Sequence, residues 1–436
     1  MILIALMNGI NVTEATSITP SYSAHSWSPI MRINLDRLMA TFHDLAQIGP
    51  TPEGGACRLA LSPEDKAGRA LFIGWAEAHG GVASYDAIGN LFVTFKGQNE
   101  REIMLGSHLD TQPNGGHYDG IFGVLSALEV VRTLQDHGHE LAHTVTITAW
   151  TNEEGARFSP AMMGSSVYSG LLPLADALKQ ADRHGVTVAT ELADLPTARR
   201  PDNMPYPQAY LEAHIEQGPV LEKNGMDIGV VTGGQGIMWF DLCFSGQPAH
   251  AGTTPMPLRH DPLFAFTDFA QRLEQAVLAF DARANVTIGK IHSDNSSYNT
   301  IMQSLRTTID IRHPEVAGLK AMHQRINELL AQVCAERGVA HELTEVWYNP
   351  PQAFDATCID IVRNAAAKLG YAHQDIISGA GHDAILLAKV CPTTMIFIPC
   401  LDGISHNPVE YASPEQIDKG TMVLLETLVQ LDLKLA

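Results

Sequence analysis

The sequence predicts an α/β protein made of two units, of which the second is inserted into the first. With 436 residues the chain is too long for one hydrophobic core and suits two domains. Strand and helix patterns alternate through the first part, as in mostly parallel sheets covered by helices on both faces. The middle of the chain changes to the order β-α-β-β-α-β, which is the ferredoxin-like split motif.

The first strong helix signal lies at Ser62 and Pro63. Serine is a favoured N-cap, proline suits the first helical position, and the acidic Glu64 and Asp65 suit the first turn. Gly80 and Gly81 can take the left-handed conformation that ends such a helix. We therefore predict a helix between these two signals.

A β-α-β unit follows. Residues 103–106 and 144–150 are apolar and predict short strands. Between them, residues 120–137 have apolar side chains at helical spacing up to Gly138. This order predicts neighbouring parallel strands joined by a helix.

The inserted unit is predicted over residues 231–348. Its elements, in order, are a strand at 237–244, a helix from Asp261-Pro262 to about Phe280, strands at 286–291 and 305–311, a helix at 315–337 and a strand at 342–347. Residues 31–230 and 349–436 then form the α/β domain, which ends in a helix that Ser413 and Pro414 begin. We predict a poorly ordered extension over residues 1–30, since it has no clear periodicity.

Composition excludes several classes of function. Acidic residues outnumber basic ones by 48 to 28, for a net charge of −20, so a nucleic-acid partner is not expected. No apolar run reaches the roughly 18 residues of a membrane span. The six cysteines form no C-x-x-C pair, which favours reduced thiols in a cytoplasmic protein over a disulfide framework.

Residues able to bind metal follow the predicted strands. His108 and Asp110 come after the first strand, Asp119 precedes the helix, and Glu153 and Glu154 follow the second strand. Ligands of open α/β sheets gather at the carboxyl ends of strands. Taken singly, each residue is more often an ordinary surface or turn residue, and only their conjunction predicts a metal site. There, Asp110 is placed to orient the His108 imidazole, and one of two adjacent carboxylates can ligate metal while its neighbour accepts a proton.

Six segments resemble a known family. They are Gly-Ser-His-Leu-Asp-Thr (106–111), Gly-Gly-His-Tyr-Asp-Gly (115–120), Asn-Glu-Glu-Gly-Ala-Arg-Phe (152–158), His-Ile-Glu-Gln-Gly (214–218), Ala-His-Ala-Gly-Thr-Thr-Pro-Met (249–256) and Gly-Ile-Ser-His-Asn-Pro (403–408). Together they resemble the M20 metallopeptidase superfamily, and more narrowly its amidase/carbamoylase branch. This branch includes N-carbamoyl-L-amino acid hydrolases, β-ureidopropionases and allantoate amidohydrolases. The resemblance covers nearly the whole chain from about residue 33.

The resemblance implies a binuclear metal centre. His108 and His214 would bind one ion, Glu154 and His406 the other, and Asp119 would bridge the two. The peptidase branch is expected to have a carboxylate in place of His214, so this histidine favours the carbamoylase branch. Imidazole and carboxylate ligands suit Zn²⁺, Mn²⁺ or Co²⁺, among which the sequence does not choose.

The resemblance also implies the roles of residues around the substrate. Glu153 would be the general base, and His250 would polarise the scissile carbonyl in the other subunit of a homodimer. Asn299 and Arg312 would grip the substrate carboxylate, an interaction for which the arginine fork is well shaped. Gln217 is expected to contact the ureido or carboxylate group, and the Gly379 backbone to approach the substrate. His382 and Asp383 lie in a further similar segment (379–383), but no role is assigned to them.

The function implied is the hydrolysis of the carbamoyl (ureido) C–N bond of a small N-carbamoyl amino acid that carries a carboxylate. The products would be the amino acid, ammonia and carbon dioxide. An allantoate amidohydrolase, with the same metals and a larger diacid-like substrate pocket, is the nearest alternative. A β-ureidopropionase is the next, because its substrate differs by one methylene, which is worth only about 1–3 kcal/mol of discrimination. An M20 peptidase or aminoacylase, or a metal-free binding protein with the same fold, are more distant alternatives.

Overall fold

The structure is a computed structural model that describes residues 31–195, 199–201, 204–294 and 297–436. The extension predicted over residues 1–30 lies outside the described residues. Along the described chain the strands are β1 (Val82–Tyr85), β2 (Leu91–Phe95), β3 (Glu102–His108), β4 (Thr144–Trp150), β5 (Ala209–Ile215), β6 (Ile228–Gly234), β7 (Gly236–Ser245), β8 (Asn285–Asp294), β9 (Ser304–His313), β10 (Ala340–Asn349), β11 (Gln352–Ala353), β12 (His373–Ser378) and β13 (Thr393–Ile398).

Helices alternate with these strands and cover both sheets. They are α1 (Leu35–Ala46), α2 (Pro63–Glu77), α3 (Ile121–Asp136), α4 (Met163–Tyr168), α5 (Leu174–Ala177), α6 (Val188–Leu192), α7 (Val220–Asn224), α8 (Pro262–Leu278), α9 (Val316–Arg337), α10 (Ala356–Leu369), α11 (Asp383–Leu387) and α12 (Pro414–Leu435). Short 3₁₀ turns lie at Met256–Leu258 and Leu401–Gly403. Among the described residues, none of these helices is both long and apolar enough to cross a bilayer.

The described strands form two sheets, which we call the large and the small sheet. The large sheet has nine strands in the order β1-β2-β4-β3-β5-β13-β6-β11, with β12 also paired to β6. Its central strands β4, β3, β5 and β13 are parallel neighbours. Their carboxyl ends therefore lie on the same edge of the sheet, where ligands of α/β proteins bind.

The flanks of the large sheet differ from the mostly parallel arrangement predicted from sequence. Strand β2 runs antiparallel to β1 and β4, and β6 runs antiparallel to β13 and β11. A helical crossover is needed only between parallel neighbours. Strands β1 and β2 are joined by a short turn and pair as antiparallel neighbours without a helix between them. The large sheet of the α/β domain is therefore mixed, with parallel central strands and antiparallel flanks.

Helix α3 fixes the two strands that flank the predicted metal site. It connects β3 to β4 and is buried on all sides from Ile121 to Leu134, which is expected for a helix between a sheet and another helix. The other helix is α12, which starts with the predicted Ser413 cap. Ser413 and Gln416 form a reciprocal capping box, with Pro414 in the first turn.

The small sheet contains the β-α-β-β-α-β order predicted for the middle of the chain. Its antiparallel strand order is β10-β7-β9-β8, and α8 and α9 pack on one face over a separate hydrophobic core. The Asp261 side chain accepts from the Leu263 N–H at the start of α8, as predicted. Strand β6 belongs to the large sheet, so residues 231–234, which we place in the insert from sequence, lie on the other side of the boundary.

The six cysteines are all free thiols, most of them buried. They act as small apolar side chains, and burial raises the pKa of Cys358, Cys391 and Cys400 above the ordinary thiol value.

Candidate active site

The predicted metal ligands meet at the carboxyl edge of the four central strands. His108 is the last residue of β3, and His214 lies near the end of β5. Glu153 and Glu154 follow β4, and His406 follows β13. Asp119 comes just before α3. The parallel register of adjacent strands thus brings together side chains that are up to about 300 residues apart in sequence.

Asp119 lies at the centre of this group and is buried. Its Oδ1 is 3.5 Å from His108 Nε2 and 3.2 Å from His214 Nε2. Its Oδ2 is 3.3 Å from His406 Nε2, which is also 3.3 Å from Glu154 Oε2. One carboxylate therefore faces three imidazole rings, two through one oxygen and one through the other.

The tautomers of the two buried histidines follow from their outer hydrogen bonds. His108 Nδ1 is 2.9 Å from the Asp110 carbonyl oxygen, and His214 Nδ1 is 2.9 Å from the Ile215 carbonyl oxygen. A carbonyl only accepts, so both Nδ1 atoms donate. In the neutral rings both Nε2 atoms are then acceptors. His214 Nε2 accepts from the Gly120 backbone N–H at 3.1 Å, and the His108 Nε2 lone pair faces the Asp119 carboxylate. An imidazole lone pair beside a carboxylate favours a cation between them, either a proton or a metal ion.

The pKa shifts of these side chains also indicate that the site favours a bound proton or cation. Burial would lower the pKa of His108, but Glu153 and Asp119 raise it well above the ordinary value. Burial would raise the pKa of Asp119, but hydrogen bonds from the three histidines hold it well below the ordinary value. Burial, together with Asp383 and Glu154, raises the pKa of Glu153 well above its usual range.

The second pair of ligands is less buried. Burial, reinforced by the Asp119 charge, raises the pKa of Glu154 to about 7. The hydrogen bond to Asp119 raises the pKa of His406 to about 9. The carboxyl groups of Glu153 and Glu154, with raised pKa values, lie beside the Asp119 carboxylate, whose pKa is lowered, and this accumulation of carboxylates has the electrostatic character of a site for divalent cations.

Asp110 supports the site by another route than the one predicted. Its carboxylate oxygen is 3.9 Å from His108 Nδ1, and the atom that holds the imidazole is its backbone carbonyl. The Asp110 carboxylate accepts from the backbone N–H groups of Glu153 and Glu154, each at 3.3 Å. It therefore holds the loop that carries the predicted base, because the β3 and β4 ends lie side by side.

Two further residues that support the site were not identified in the sequence analysis. The Gln112 side chain and backbone donate to the two oxygens of Glu154 at 2.7 and 3.1 Å. Gly120 has φ of +69°, and a Cβ there would lie 2.4 Å from the His108 ring, so only glycine fits. The segment Gly-Gly-His-Tyr-Asp-Gly gave a signal for Gly120, whereas nothing in the sequence marks Gln112.

A second buried polar layer lies beneath the histidines. Glu212 accepts from the Ser107 hydroxyl at 2.7 Å and from the Ala384 N–H at 2.9 Å. Asp383 accepts from the Ser165 hydroxyl. The His382 ring packs edge-on against His214, with centroids 4.5 Å apart. The segment containing His382 and Asp383 thus lies directly behind one of the predicted ligands.

Gln217, predicted to contact substrate, lies beside the metal ligands. Its amide donates to Asp119 Oδ2 at 2.8 Å, and its backbone has φ of +56°. Non-glycine residues in this region are uncommon and concentrate at functional sites. Gln217 also lines a cleft of about 900 Å³ between the large and small sheets.

Arg312 and Gly379 line the same cleft from its two sides. Arg312 Nη1 donates to the Gly379 carbonyl at 2.8 Å, while its Nε and Nη2 donate to the Asp310 carboxylate at 2.8–3.1 Å. Asp310 therefore fixes the plane of the guanidinium at the cleft wall. The structure thus brings Gln217, Arg312 and Gly379, the predicted substrate contacts, to one cleft.

His250 and Asn299 lie elsewhere. The Ala251 N–H donates to the Asn299 carbonyl at 2.8 Å, beyond the Ser304 end of β9, whereas Arg312 lies near the opposite end. At about 3.3 Å per residue, Ser304 and Arg312 alone are about 26 Å apart along the strand. Asn299 and Arg312, which the resemblance pairs at the substrate carboxylate, therefore do not meet within one chain.

The nitrogen and oxygen atoms of these side chains are placed closely enough to bind metal ions. Two groups in the described chain have ligand atoms within 4.8 Å of one another and share Asp119: His108 with His214, and Glu154 with His406. A third group, Glu212 with His214 and His382, lies deeper. Imidazole nitrogen and carboxylate oxygen are ligand atoms that zinc and manganese bind, and the three Nε2 atoms lie within 3.5 Å of a single carboxylate.

Comparison with known proteins shows the family of this chain. The sequence profile of peptidase family M20/M25/M40 matches residues 104–430. An N-carbamoyl-L-amino-acid amidohydrolase of Rhizobium meliloti is 39% identical over 92% of this chain and 97% of its own. An allantoate amidohydrolase of Bacillus subtilis is 31% identical over 89% of this chain and 95% of its own. The crystal structure of a hydantoinase/carbamoylase family amidase from Burkholderia ambifaria is 46% identical, with a TM-score of 0.88 over 92% of this chain and 98% of that chain.

We predict that the metal-free protein loses stability as the pH rises from about 5 to 9. The pKa values of Glu154 and His406 are raised on folding, from 4.5 to about 7 and from 6.5 to about 9. Their protonated forms stabilise the fold below the unfolded pKa, and this contribution is lost as the pH rises through the folded pKa. The lowered pKa of Asp119 makes stability depend on pH only below this range. Thermal unfolding of chelator-treated protein across this pH range measures the effect.

His406→Ala should make that slope shallower above pH 6.5, and His292→Ala, at an exposed histidine on β8, is the matched control. Added divalent cations should flatten the slope, because they replace the protons. A melting temperature of the metal-free protein that rises with pH over this range would contradict the interpretation.

Proposed function

We propose, since this chain belongs to the M20/M25/M40 peptidase family, that it hydrolyses the carbamoyl C–N bond of N-carbamoyl-L-amino acids. Amidohydrolase relatives match it over nearly their whole length. The observation that carries the proposal is the Asp119 carboxylate, which faces the Nε2 atoms of His108 and His214 with one oxygen and that of His406 with the other.

The proposed metal centre has two divalent cations, Zn²⁺ or Mn²⁺, with Co²⁺ as a further candidate. His108 and His214 would hold one ion, Glu154 and His406 the other, and Asp119 both. When bound, such ions polarise the substrate carbonyl and lower the pKa of a water molecule. The outer hydrogen bonds of His108 and His214 keep their Nε2 atoms available for this purpose.

Glu153 is the proposed general base. It is buried, its Oε2 is 3.4 Å from His108 Nε2, and its backbone is held by Asp110. It would take a proton from the attacking water as the oxygen bonds to the carbamoyl carbon, and then deliver it to the leaving nitrogen as the C–N bond breaks. The resulting carbamic acid would break down to ammonia and carbon dioxide. The raised pKa of Glu153 suits a group that both accepts and donates a proton.

The substrate would lie in the cleft between the two sheets. Arg312, with its guanidinium plane fixed by Asp310, would bind the carboxylate, beside the Gly379 backbone. Gln217 reaches both the cleft and Asp119, so it can contact the ureido group next to the metal centre. Movement of the small sheet towards the large one would then exclude water from the substrate.

His250 and Asn299 are proposed to act in the other subunit of a homodimer. They lie together at the far end of the small sheet, while Arg312 of the same chain reaches Gly379. His250 Nδ1 accepts from the backbone N–H groups of Gly252 and Thr253, so its Nε2 carries a proton in the neutral ring. This exposed N–H donor can stabilise a developing oxyanion, an interaction commonly worth about 3–4 kcal/mol.

Substrate turnover separates the candidate functions. N-carbamoyl-L-α-amino acids should give a higher kcat/KM than N-carbamoyl-β-alanine, by about 10–200-fold for one methylene. The panel also includes allantoate, an N-acetyl amino acid, a dipeptide and an N-carbamoyl-D-amino acid. Faster turnover of allantoate would favour the allantoate amidohydrolase alternative, and cleavage of only the acetyl compound or the dipeptide would favour an aminoacylase or peptidase.

Glu153→Gln tests the general base. We expect kcat to fall by about 10²–10⁴-fold or more, with the metal content unchanged, because the amide cannot accept the proton of the water. The matched control is Glu129→Gln, a buried glutamate of α3 paired with Arg37, which should lower stability but leave turnover intact. Wild-type turnover in Glu153→Gln would rule out this base, and purified wild type without metal would favour a metal-free binding protein.

Mixing two inactive variants tests the action of His250 in the other subunit. In a heterodimer of His250→Ala and Glu153→Gln chains, one site combines an intact Glu153 with an intact His250 of the partner. Random assortment after co-refolding should therefore restore about a quarter of the wild-type rate. No recovery, with heterodimers demonstrated by two different affinity tags, would show that His250 acts within its own chain.

A further inference from the structure

Glu410 is a buried carboxylate next to the proposed metal centre that the mechanism does not use. It lies four residues after His406 and is 3% exposed. Its Oε1 accepts from the backbone N–H groups of Tyr118 and Asp119 at 2.9 and 3.1 Å. The Glu410 side chain thus joins the loop that carries His406 to the loop that carries Asp119, nearly 300 residues away in sequence.

Ser405 connects the two carboxylates directly. Its hydroxyl oxygen is 2.8 Å from Asp119 Oδ2 and 2.8 Å from Glu410 Oε2. A hydroxyl has one proton and can donate to only one of them at a time. When the Asp119 oxygens ligate cations, the hydroxyl is free to donate to Glu410, which then has all its oxygens satisfied.

Gly116 leaves room for this carboxylate. A Cβ at this position would lie 2.1 Å from Glu410 Oε1 and 2.2 Å from its Cδ. The Gly116 backbone does not have a positive φ, so the requirement for glycine comes from the closeness of Glu410 rather than from strain. The loop before α3 is therefore shaped around the Glu410 side chain.

We propose that Glu410 is a positioning residue that holds the Asp119 carboxylate between the two groups of metal ligands and thereby sets the affinity for divalent cations. The inference rests on the ligand set of the proposed function. Asp119 must direct one oxygen to His108 and His214 and the other to His406, so a rotation of its backbone would remove it from one group. Glu410 prevents that rotation by fixing the N–H groups of Tyr118 and Asp119, while Ser405 fixes Oδ2.

A merely structural role is the alternative, and the chain offers a matched control for it. Asp432 in α12 is a buried carboxylate that accepts from two consecutive backbone N–H groups, those of Ala142 and His143, at 2.9 and 2.8 Å. These residues precede β4, at the opposite edge of the large sheet from the ligands. Loss of either carboxylate removes the partner of two consecutive backbone N–H groups, and loss of Asp432 also removes the partner of the His143 imidazole. Only Glu410 lies near the proposed metal ligands.

The experiment measures Mn²⁺ affinity by calorimetric titration of the metal-free full-length protein, together with the thermal unfolding of that metal-free form. Glu410→Ala should weaken Mn²⁺ binding by about 10–100-fold, the usual effect of losing a residue that supports a ligand. Asp432→Ala should lower the melting temperature to a comparable extent without changing the Mn²⁺ affinity. Glu410→Gln should restore affinity to within a few-fold of wild type, because its amide oxygen can accept the same two N–H bonds.

Gly116→Ala provides a second route if Glu410→Ala does not fold, since it displaces Glu410 while leaving its charge in place, and it should weaken Mn²⁺ binding as well. The positioning role would be overturned if Glu410→Ala bound Mn²⁺ with wild-type affinity, or if Asp432→Ala lost as much Mn²⁺ affinity as Glu410→Ala. If Gly116→Ala has to replace Glu410→Ala, wild-type Mn²⁺ affinity in Gly116→Ala would overturn it. In those cases two ions still bind to wild type and the proposed function stands. If wild type itself binds no Mn²⁺ or Zn²⁺, the ligand assignment fails, and this inference fails with it.

Discussion

The Asp119 carboxylate is the constraint on which the rest of this structure depends. It is buried, and its two oxygens face the Nε2 atoms of His108, His214 and His406. Burying an anion is costly unless cations or hydrogen bonds compensate it. The fold supplies the compensation by ending β3, β4, β5 and β13 on one edge, so that imidazoles from distant parts of the chain converge there. The surrounding polar residues, Asp110, Gln112 and Gln217 among them, hold loops and ligands in the orientations that this convergence requires.

The two sheets divide the proposed chemistry between them. The large sheet carries the proposed metal ligands and the proposed base, while the small sheet carries Arg312, which spans the cleft to Gly379. The length of β9 keeps Asn299 and His250 far from the Arg312 of their own chain. Under the proposed mechanism, one protomer would present the metal centre and the carboxylate anchor, while its own His250 lies at the far end of the small sheet. A second copy of the chain would supply the donor for the scissile carbonyl, so dimerisation would be part of the reaction rather than only of stability.

Much of this arrangement could be predicted from the sequence because the signals are local. His108, Asp119 and Glu153 follow strand patterns in one β-α-β unit, and the middle of the chain has the order of strands and helices that the small sheet shows. The antiparallel flanks were not predicted, since pairing direction depends on connections that periodicity does not reveal. The role of Asp110 differs from the prediction because its carboxylate contacts the loop that follows β4, the neighbouring strand, rather than the His108 imidazole. Gln112 and Glu410 were missed because their partners are distant in sequence and are partly backbone groups. The pairing of Asn299 with Arg312 was taken from the resemblance, and only the extended length of β9 shows that the two cannot meet in one chain.

The most direct test of the account is the position of bound cations in crystals. Anomalous diffraction from crystals grown with Mn²⁺ should show two peaks per protomer, one beside His108 and His214 and one beside Glu154 and His406, with Asp119 contacting both. A single ion, or ions bound without contact to Asp119, would contradict the central role of this carboxylate and with it the proposed binuclear hydrolysis.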